Sequence, residues 1–301
     1  MSSGLAVSAE AGAKNHSQRM AWFGSRQVAA GALLALVAVL YGRALSAMAV
    51  QWWSDPNWSH GFLVPVFSGW IAWKTRRRWM AAADKPNWLG LVGVMFAIVL
   101  LLLGSLAAEL FTTRFSFVLL LGSVVLLLGG WRRLRALAFP LGFLLLMIPW
   151  PAIVYAQTTL PLELMSSHWA ALALRVARVP VLREGNLLTL PNYTLQVVVA
   201  CSGIRSIVSL LTLAVAYGYL TEKRIWARFF LVAIMIPIAI VSNSFRIFGT
   251  GVLTADVSPD LAHGFFHEFS GFLIFLAATS LLLGVHAFLR RIRPTKEARH
   301  D

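Results

Sequence analysis

Apolar runs about as long as a membrane is thick recur along most of this chain. A helix that crosses the hydrocarbon core needs about 20 mostly apolar residues. Only 13% of the 301 residues are charged, about half the usual share in soluble domains. We therefore predict an all-α integral membrane protein with about eight transmembrane helices: Val28–Val50, Gly61–Lys74, Trp88–Ala108, Phe115–Gly130, Ala136–Gln157, Ile204–Leu220, Phe229–Gly251 and Gly271–Leu289. The second segment is short and could instead be re-entrant.

The distribution of basic residues tests this arrangement. With the N-terminus inside, the inner segments hold 19 of the 26 Lys and Arg residues, and the outer half has no net charge. This is the asymmetry that the positive-inside rule requires, so the net charge of +14 does not point to nucleic acid. We predict two cytoplasmic tails, 1–27 and 290–301, around a transmembrane domain over 28–289. The first tail lacks the apolar core of a cleavable signal peptide.

Three predicted outer segments are long enough to contribute to a site. The tryptophan-rich Gln51–His60 is either an interfacial aromatic belt or a substrate lining. Within Thr158–Gly203, the stretch Leu162–Val179 predicts an amphipathic helix in the outer interface. The alternating stretch Asn186–Val199 predicts a short β-hairpin before the sixth span. The third segment, Thr250–Ser270, leads into the last span.

The only cysteine, Cys201, stands at the outer mouth of the sixth span. A single cysteine excludes an intramolecular disulfide and any metal site built on several cysteines. Alone, Cys201 could be a buried, inert residue. However, a helix N-terminus and the nearby Arg205 both favour a thiolate, and Gly203 allows a backbone amide to approach a reacting atom.

Two further groups of polar residues lie at the outer ends of the next spans. Arg246 follows the polar stretch Ser242–Ser244. Polar residues at this depth in a span should face the protein interior or a water-filled cavity. Alternatively, the Arg246 side chain could extend to the membrane interface. His263 and His267 stand four residues apart at the start of the last span and could share a metal. No cysteine pair or His-Glu-x-x-His signature accompanies them, so we expect no metal and no other cofactor.

Cys201, Arg246 and His267 thus lie at the outer ends of three consecutive predicted spans. Spans adjacent in the chain tend to be neighbours in the bundle, so these side chains could meet at one depth. A cysteine and a histidine are the minimal pair for acyl transfer, and a fixed cation can stabilise the developing oxyanion.

At these positions the chain resembles the exosortase/archaeosortase family. The resemblance covers the spanning region from about Val28 to Leu289. Its motifs are ACSGIRS (Ala200–Ser206), SNSFRI (Ser242–Ile247), HEFSGF (His267–Phe272), WSHGFLVP (Trp58–Pro65) and the turn at Gly185-Asn186. Larger members carry an extra soluble C-terminal domain, and we expect a bacterial exosortase without one.

The resemblance implies an inner-membrane cysteine transpeptidase or protease with its site facing the periplasm. Its partners would be the lipid bilayer and membrane-anchored proteins with C-terminal sorting signals: a short motif such as Pro-Glu-Pro, one helix and a basic tail. Cys201 would be the nucleophile, His267 the general base and acid, and Arg246 the transition-state stabiliser. His263 competes for the histidine role. The predicted substrate contacts are Ser202, Arg205, Asn243, His60 and His263.

Three other functions remain open from the sequence. A transporter would need charged or helix-breaking residues near the bilayer midplane. A structural subunit of an envelope polysaccharide system would need no reactive thiol. A membrane acyltransferase could use the same three residues on a lipid.

Overall fold

The computed structural model describes residues 28, 31–82, 85–191, 193–197, 204–256 and 265–292, without the side chains of 196, 204–206, 256, 265–268, 270 and 292. Within this part the chain is almost entirely helical. The helices are α1 (Gly31–Ser54), α2 (Leu63–Lys74), α3 (Arg76–Ala81), α4 (Leu89–Leu106), α5 (Leu110–Ala136), α6 (Ala138–Phe143), α7 (Ala152–Val176), α8 (Ile204–Thr221), α9 (Ile225–Asp256) and α10 (Phe265–Ile292). Short 3₁₀ helices occupy Ser59–Phe62 and Leu144–Met147.

Five of the described helices are long and apolar enough to cross a membrane: α1, α4, α5, α9 and α10. A sixth crossing forms if α6, its 3₁₀ extension and α7 count as one bent span. The expected all-α membrane protein is therefore confirmed. The figure of eight spans stays a prediction, because α2 has only 12 residues and α8 has 18.

The fifth predicted span, Ala136–Gln157, is broken in the structure. The helix stops after Met147, passes through an irregular stretch at 148–151, and resumes as α7 at an angle of 79°. Pro149 and Pro151 explain the break, because proline lacks an amide hydrogen and disfavours helix in the residue before it. The sequence analysis predicted one span here and missed the change of direction.

Side chains from the α1–α2 region bond to carbonyls of α6 and of the 3₁₀ helix that precedes this break. Carbonyls within a membrane protein need partners from the protein itself. The bonds run from Trp52 Nε1 to Met147 (3.0 Å), from His60 Nε2 to Leu146 (3.3 Å) and from Ser68 Oγ to Pro140 (2.6 Å). The break is therefore held in place by a neighbouring part of the chain. We call the end of the bundle that contains residues 55–60, 107–109 and 148–151 the outer side.

Helix α7 contains the predicted amphipathic stretch but buries its small and polar face. Small residues let helices approach closely in membranes. Leu174 lies so near α9 that a Cβ added to Gly251 would stand 3.0 Å from it. Trp169 and Val176, from the predicted apolar stripe, are 52% and 78% exposed and are available to lipid. The buried residues are Thr159, Glu163, Ser166, Ser167, Ala170, Ala171 and Leu174.

A small antiparallel sheet follows α7, with strands β1 (Leu182–Glu184), β2 (Leu187–Leu190) and β3 (Tyr193–Gln196) in that order. The predicted hairpin is confirmed as β2 and β3, which pair Leu188 with Leu195. The sequence analysis missed β1. Both paired leucines are buried in a cluster with α7 and α9, so the sheet is anchored to the helices.

Helix α8 packs on two sides and joins the halves of the molecule. Ile207, Leu210 and Ala214 are buried against α9 and α10. Val208 is buried in a different cluster, with Trp52 from α1 and other residues of the N-terminal half. The start of α8, where the cysteine motif leads into the helix, therefore lies between the two halves.

Near the end of α5, Gly130 adopts a conformation that other residues avoid, with φ 68° and ψ −176°. A Cβ at this position would collide with the carbonyl oxygen of Lys85. We expect Gly130→Ala to destabilise the protein by about 1–3 kcal/mol from the backbone conformation alone. Thermal unfolding in detergent would measure the loss.

Gly122→Ala in the same helix is the matched control, because a Cβ there would meet only Leu134, at 3.9 Å. We expect it to leave the unfolding temperature unchanged or slightly raised, since alanine favours helix. Equal stability of the two variants would contradict this account of Gly130.

Candidate active site

The predicted site residues differ in how much of them the structure describes. Cys201, Ser202 and His263 lie outside the described residues. Arg205 and His267 belong to α8 and α10, and only their backbone is described. The side chains that can be placed are those of Arg246, Asn243 and His60. No group of three or more metal-binding side chains converges within the described part of the chain.

Arg246 packs against the first turns of α10. Its side chain is half-buried, and a Cβ added to Gly271 would stand 3.5 Å from Nη2 and 3.6 Å from Cζ. Gly271 comes one helical turn after His267, and residues four apart share a face of a helix. The guanidinium therefore lies against the face of α10 on which His267 stands. Glycine at 271 leaves room for this approach.

The polar residues before Arg246 are buried within α9. Asn243 is one turn earlier and only 3% exposed, and its Nδ2 has no hydrogen-bond partner among the described residues. Ser244 is also buried, and its hydroxyl donates to the carbonyl of Ile240 at 2.8 Å. Polar side chains in a span are expected to face the protein interior. Asn243 thus offers a buried amide close to Arg246.

The chain that leads to Cys201 is fixed at Val197, four residues earlier. The Val197 amide donates to the carbonyl of Asn186 at 2.9 Å. In return, Asn186 Nδ2 donates to the Val197 carbonyl at 3.1 Å. The same amide nitrogen donates to Glu163 Oε2, also at 3.1 Å. Asn186 thereby ties the approach to Cys201 to helix α7.

A second bond from α7 holds the turn between β1 and β2. Ser167 Oγ donates to the carbonyl of Gly185 at 3.0 Å. Gly185 has φ 63°, a left-handed conformation that glycine adopts without steric cost. The sequence analysis noted the Gly185-Asn186 turn but missed Glu163 and Ser167. The sequence pattern that could have revealed them is two polar residues, four positions apart, on a mostly apolar helix.

One buried cluster connects this anchored segment to Arg246. Val197 and Ile247 both belong to it, together with Leu174 of α7. Ile247 is the next residue after Arg246, and Val197 is completely buried. The approach to Cys201 and the part of α9 that carries Arg246 therefore share one packed core.

His60 lies at the outer side, where its ring contacts Trp58 at a centroid distance of 6.0 Å. Burial lowers the pKa of His60, and hydrogen bonds with the carbonyls of Leu146 and Asn57 oppose this only in part. The shift favours the neutral form of the ring. The bond to the Leu146 carbonyl connects His60 to the broken helix, so the side chain has a structural role besides the predicted substrate contact.

Removing the Asn186 side chain should loosen the segment before Cys201. We expect Asn186→Ala to cost about 1–3 kcal/mol, because it leaves the buried Val197 carbonyl and Glu163 without their shared donor. The rate at which a maleimide labels Cys201, the only thiol in the chain, should change as well. Labelling and thermal unfolding would both be measured in detergent.

Asn87→Ala is the matched control, because Asn87 caps a helix far away by accepting from the Leu89 amide. It should leave the labelling of Cys201 unchanged. The anchoring role of Asn186 would be wrong if the two variants labelled at the same rate.

Comparison with known proteins identifies a family. A family model described as transmembrane exosortase matches residues 52–284, well over half of the chain. No curated protein and no solved structure matches. The matched residues include the broken span, the sheet, α8 and α9, and the part of α10 against which Arg246 packs.

Proposed function

Because the chain belongs to the transmembrane exosortase family, we propose that it is a membrane-embedded cysteine transpeptidase or protease. It cleaves the C-terminal sorting signals of membrane-anchored proteins through Cys201, Arg246 and His267. The observation that carries this proposal is the packing of the Arg246 guanidinium on the α10 face that holds His267. Acyl transfer from a cysteine uses a nearby base, and a fixed cation can stabilise the oxyanion that forms.

The proposed reaction begins with proton transfer from the Cys201 thiol to His267. The thiolate sulfur attacks the scissile carbonyl carbon, and Arg246 stabilises the negative charge on the carbonyl oxygen. The C–N bond then breaks, and His267 returns the proton to the leaving amine. The resulting thioester is resolved by water or by an amine acceptor, which restores the thiol.

The anchoring of Val197 supports Cys201 as the nucleophile. A nucleophile must be held close to its base, and loose positioning is costly in rate. The bonds from Asn186 to Val197 and Glu163 restrain the chain only four residues before Cys201. The shared core of Val197 and Ile247 extends this restraint to the neighbourhood of Arg246.

The substrate arrangement follows from the predicted orientation. A substrate helix packs beside the spans with its basic tail in the cytoplasm. The positive-inside rule applies to the substrate as well as to the enzyme. Its recognition motif then emerges on the outer side, at the level of Cys201. In a bacterial inner membrane this side faces the periplasm.

A transporter is the strongest alternative, because transporters bind their cargo at broken helices. The carbonyls at the break would then be expected to face a cavity and bind ions. Here the carbonyls of Leu146 and Met147, just before the break, accept bonds from His60 and Trp52. These two carbonyls are therefore not available as ion ligands, which favours the enzyme.

The first test is co-expression with a tagged protein that ends in a motif, a single helix and a basic tail. The wild type should shorten the tagged protein, and Cys201→Ala should abolish this cleavage while leaving the fold intact. We expect His267→Ala and Arg246→Ala to slow cleavage by about 10²–10³-fold. Arg246→Lys should recover only part of the rate, since lysine lacks the planar fork of arginine. Size analysis of the tagged protein gives the readout.

His168→Ala and Arg175→Ala are matched controls, because both side chains are exposed on α7. They should cleave like the wild type. Cleavage by Cys201→Ala would overturn the nucleophile assignment. If a well-expressed wild type does not cleave, labelling of Cys201 at graded pH decides: an inert thiol would favour the structural subunit.

A further inference from the structure

A cavity of about 550 Å³ opens on the outer side, away from the contact between Arg246 and α10. Its wall is made by the end of α1 and the loop after it, the turn between α4 and α5, and the break before α7. The proposed reaction assigns no role to these residues. Its polar and aromatic lining includes Gln51, Asn57, Trp58, Arg114, Trp150 and Tyr155.

Arg114 is the most unusual residue of this cavity. The side chain is only 3% exposed, although it carries a positive charge. Its Nη1 donates to Gln51 Oε1 at 2.8 Å, whereas Nε has no hydrogen-bond partner among the described residues. Buried donors without an acceptor are rare and costly. The cavity therefore contains a charged donor that lacks an acceptor oxygen.

The acidic residues of the cavity are already engaged with backbone amides. Glu109 accepts from the amides of Phe111 and Thr112 at the start of α5. Burial would raise the pKa of Glu109, but these bonds and the charge of Arg114 outweigh it and lower the pKa. Asp55 accepts from the Asn57 amide in its own turn. Neither carboxylate bonds to Arg114 Nε.

The remaining lining suits an extended peptide. Asn57 Oδ1 is buried and has no donor among the described residues, so the cavity wall contains one unpaired acceptor and one unpaired donor. An extended backbone supplies the complementary N–H and C=O groups. Trp58 packs edge-on against Trp150 at 6.2 Å and lies 6.3 Å from Tyr155. Aromatic walls of this kind bind proline-containing segments in extended conformation.

The cavity is linked to α8 through the buried core. Trp58, which lines the cavity, belongs to the same buried cluster as Val208, which is seven residues after Cys201. The cluster therefore connects the cavity wall to the helix into which the cysteine motif leads. Other residues of α8 pack against α9 and α10.

We propose that this cavity binds the extended segment of the substrate that precedes its membrane helix. A substrate carbonyl or carboxylate oxygen accepts from Arg114 Nε, and a proline or other compact apolar residue packs on Trp58 and Trp150. This inference rests on the proposed function, because the ligand is the protein to be cleaved. A lipid headgroup is the competing occupant.

Photocrosslinking in the full-length Cys201→Ala variant tests occupancy without turnover. A benzophenone amino acid replaces Phe111, which lines the cavity, or Trp53, which is 85% exposed nearby. The probe is the tagged sorting-signal protein in native membranes. Position 111 should capture the segment before its helix, and position 53 should capture lipid or nothing. A synthetic peptide of that segment should compete. Capture of lipid alone at position 111, or of no substrate, would overturn the proposal.

Cleavage kinetics in the active protein provide a second test. Arg114→Gln should raise KM by about 10–100-fold with little change in kcat, since it removes a hydrogen bond to a charged group. Trp150→Ala, at a half-buried position that tolerates change better, should raise KM in the same way. Trp53→Ala is its matched control and should behave like the wild type.

A fall in kcat at unchanged KM in both cavity variants would contradict a binding role. Failure of the proposed function is recognised separately, as cleavage that survives in Cys201→Ala. Different variants therefore test the cavity and the catalytic assignment.

Discussion

Carbonyl groups exposed by a broken helix need hydrogen-bond donors, and much of this structure depends on where those donors come from. Trp52 and His60 supply them to the 3₁₀ helix that ends at the break, and Ser68 donates to Pro140 within α6. The bond network holds the break, and the break turns the chain by 79° to send α7 along α9. Helix α7 in turn holds the sheet and the segment before Cys201. A few bonds near Met147 thus help to determine the geometry on the other side of the molecule.

Helix α8 separates two chemically different regions of the outer side. One face packs toward α9 and α10, where Arg246 approaches the turn of His267. The opposite face packs toward Trp58 and the cavity of Arg114. A substrate that contacts both regions must pass over the start of α8, which the cysteine motif precedes. Under the proposed function, recognition and chemistry could then be altered independently by residues on different helices.

The sequence predicted the features that depend on local patterns of apolar residues. The long apolar helices follow from the length of the apolar runs, and the hairpin follows from alternation. The buried face of α7 was not predictable in this way, because small residues pack against helices while large apolar ones face lipid. The bonds of Asn186 to Glu163 and Val197 join distant parts of the chain, and no local pattern signals them.

The length of α9 relates the site to the thickness of the bilayer. In the predicted orientation basic residues mark its inner end, and Arg246 stands 21 residues after Ile225, about 32 Å along the helix. A hydrocarbon core is about 30 Å thick, so in this orientation the guanidinium is expected near its outer boundary. A thicker bilayer would then place the guanidinium within the hydrocarbon region, and a thinner one would place it in the aqueous phase. The predicted orientation therefore makes the surroundings of Arg246 sensitive to the acyl-chain length of the host membrane.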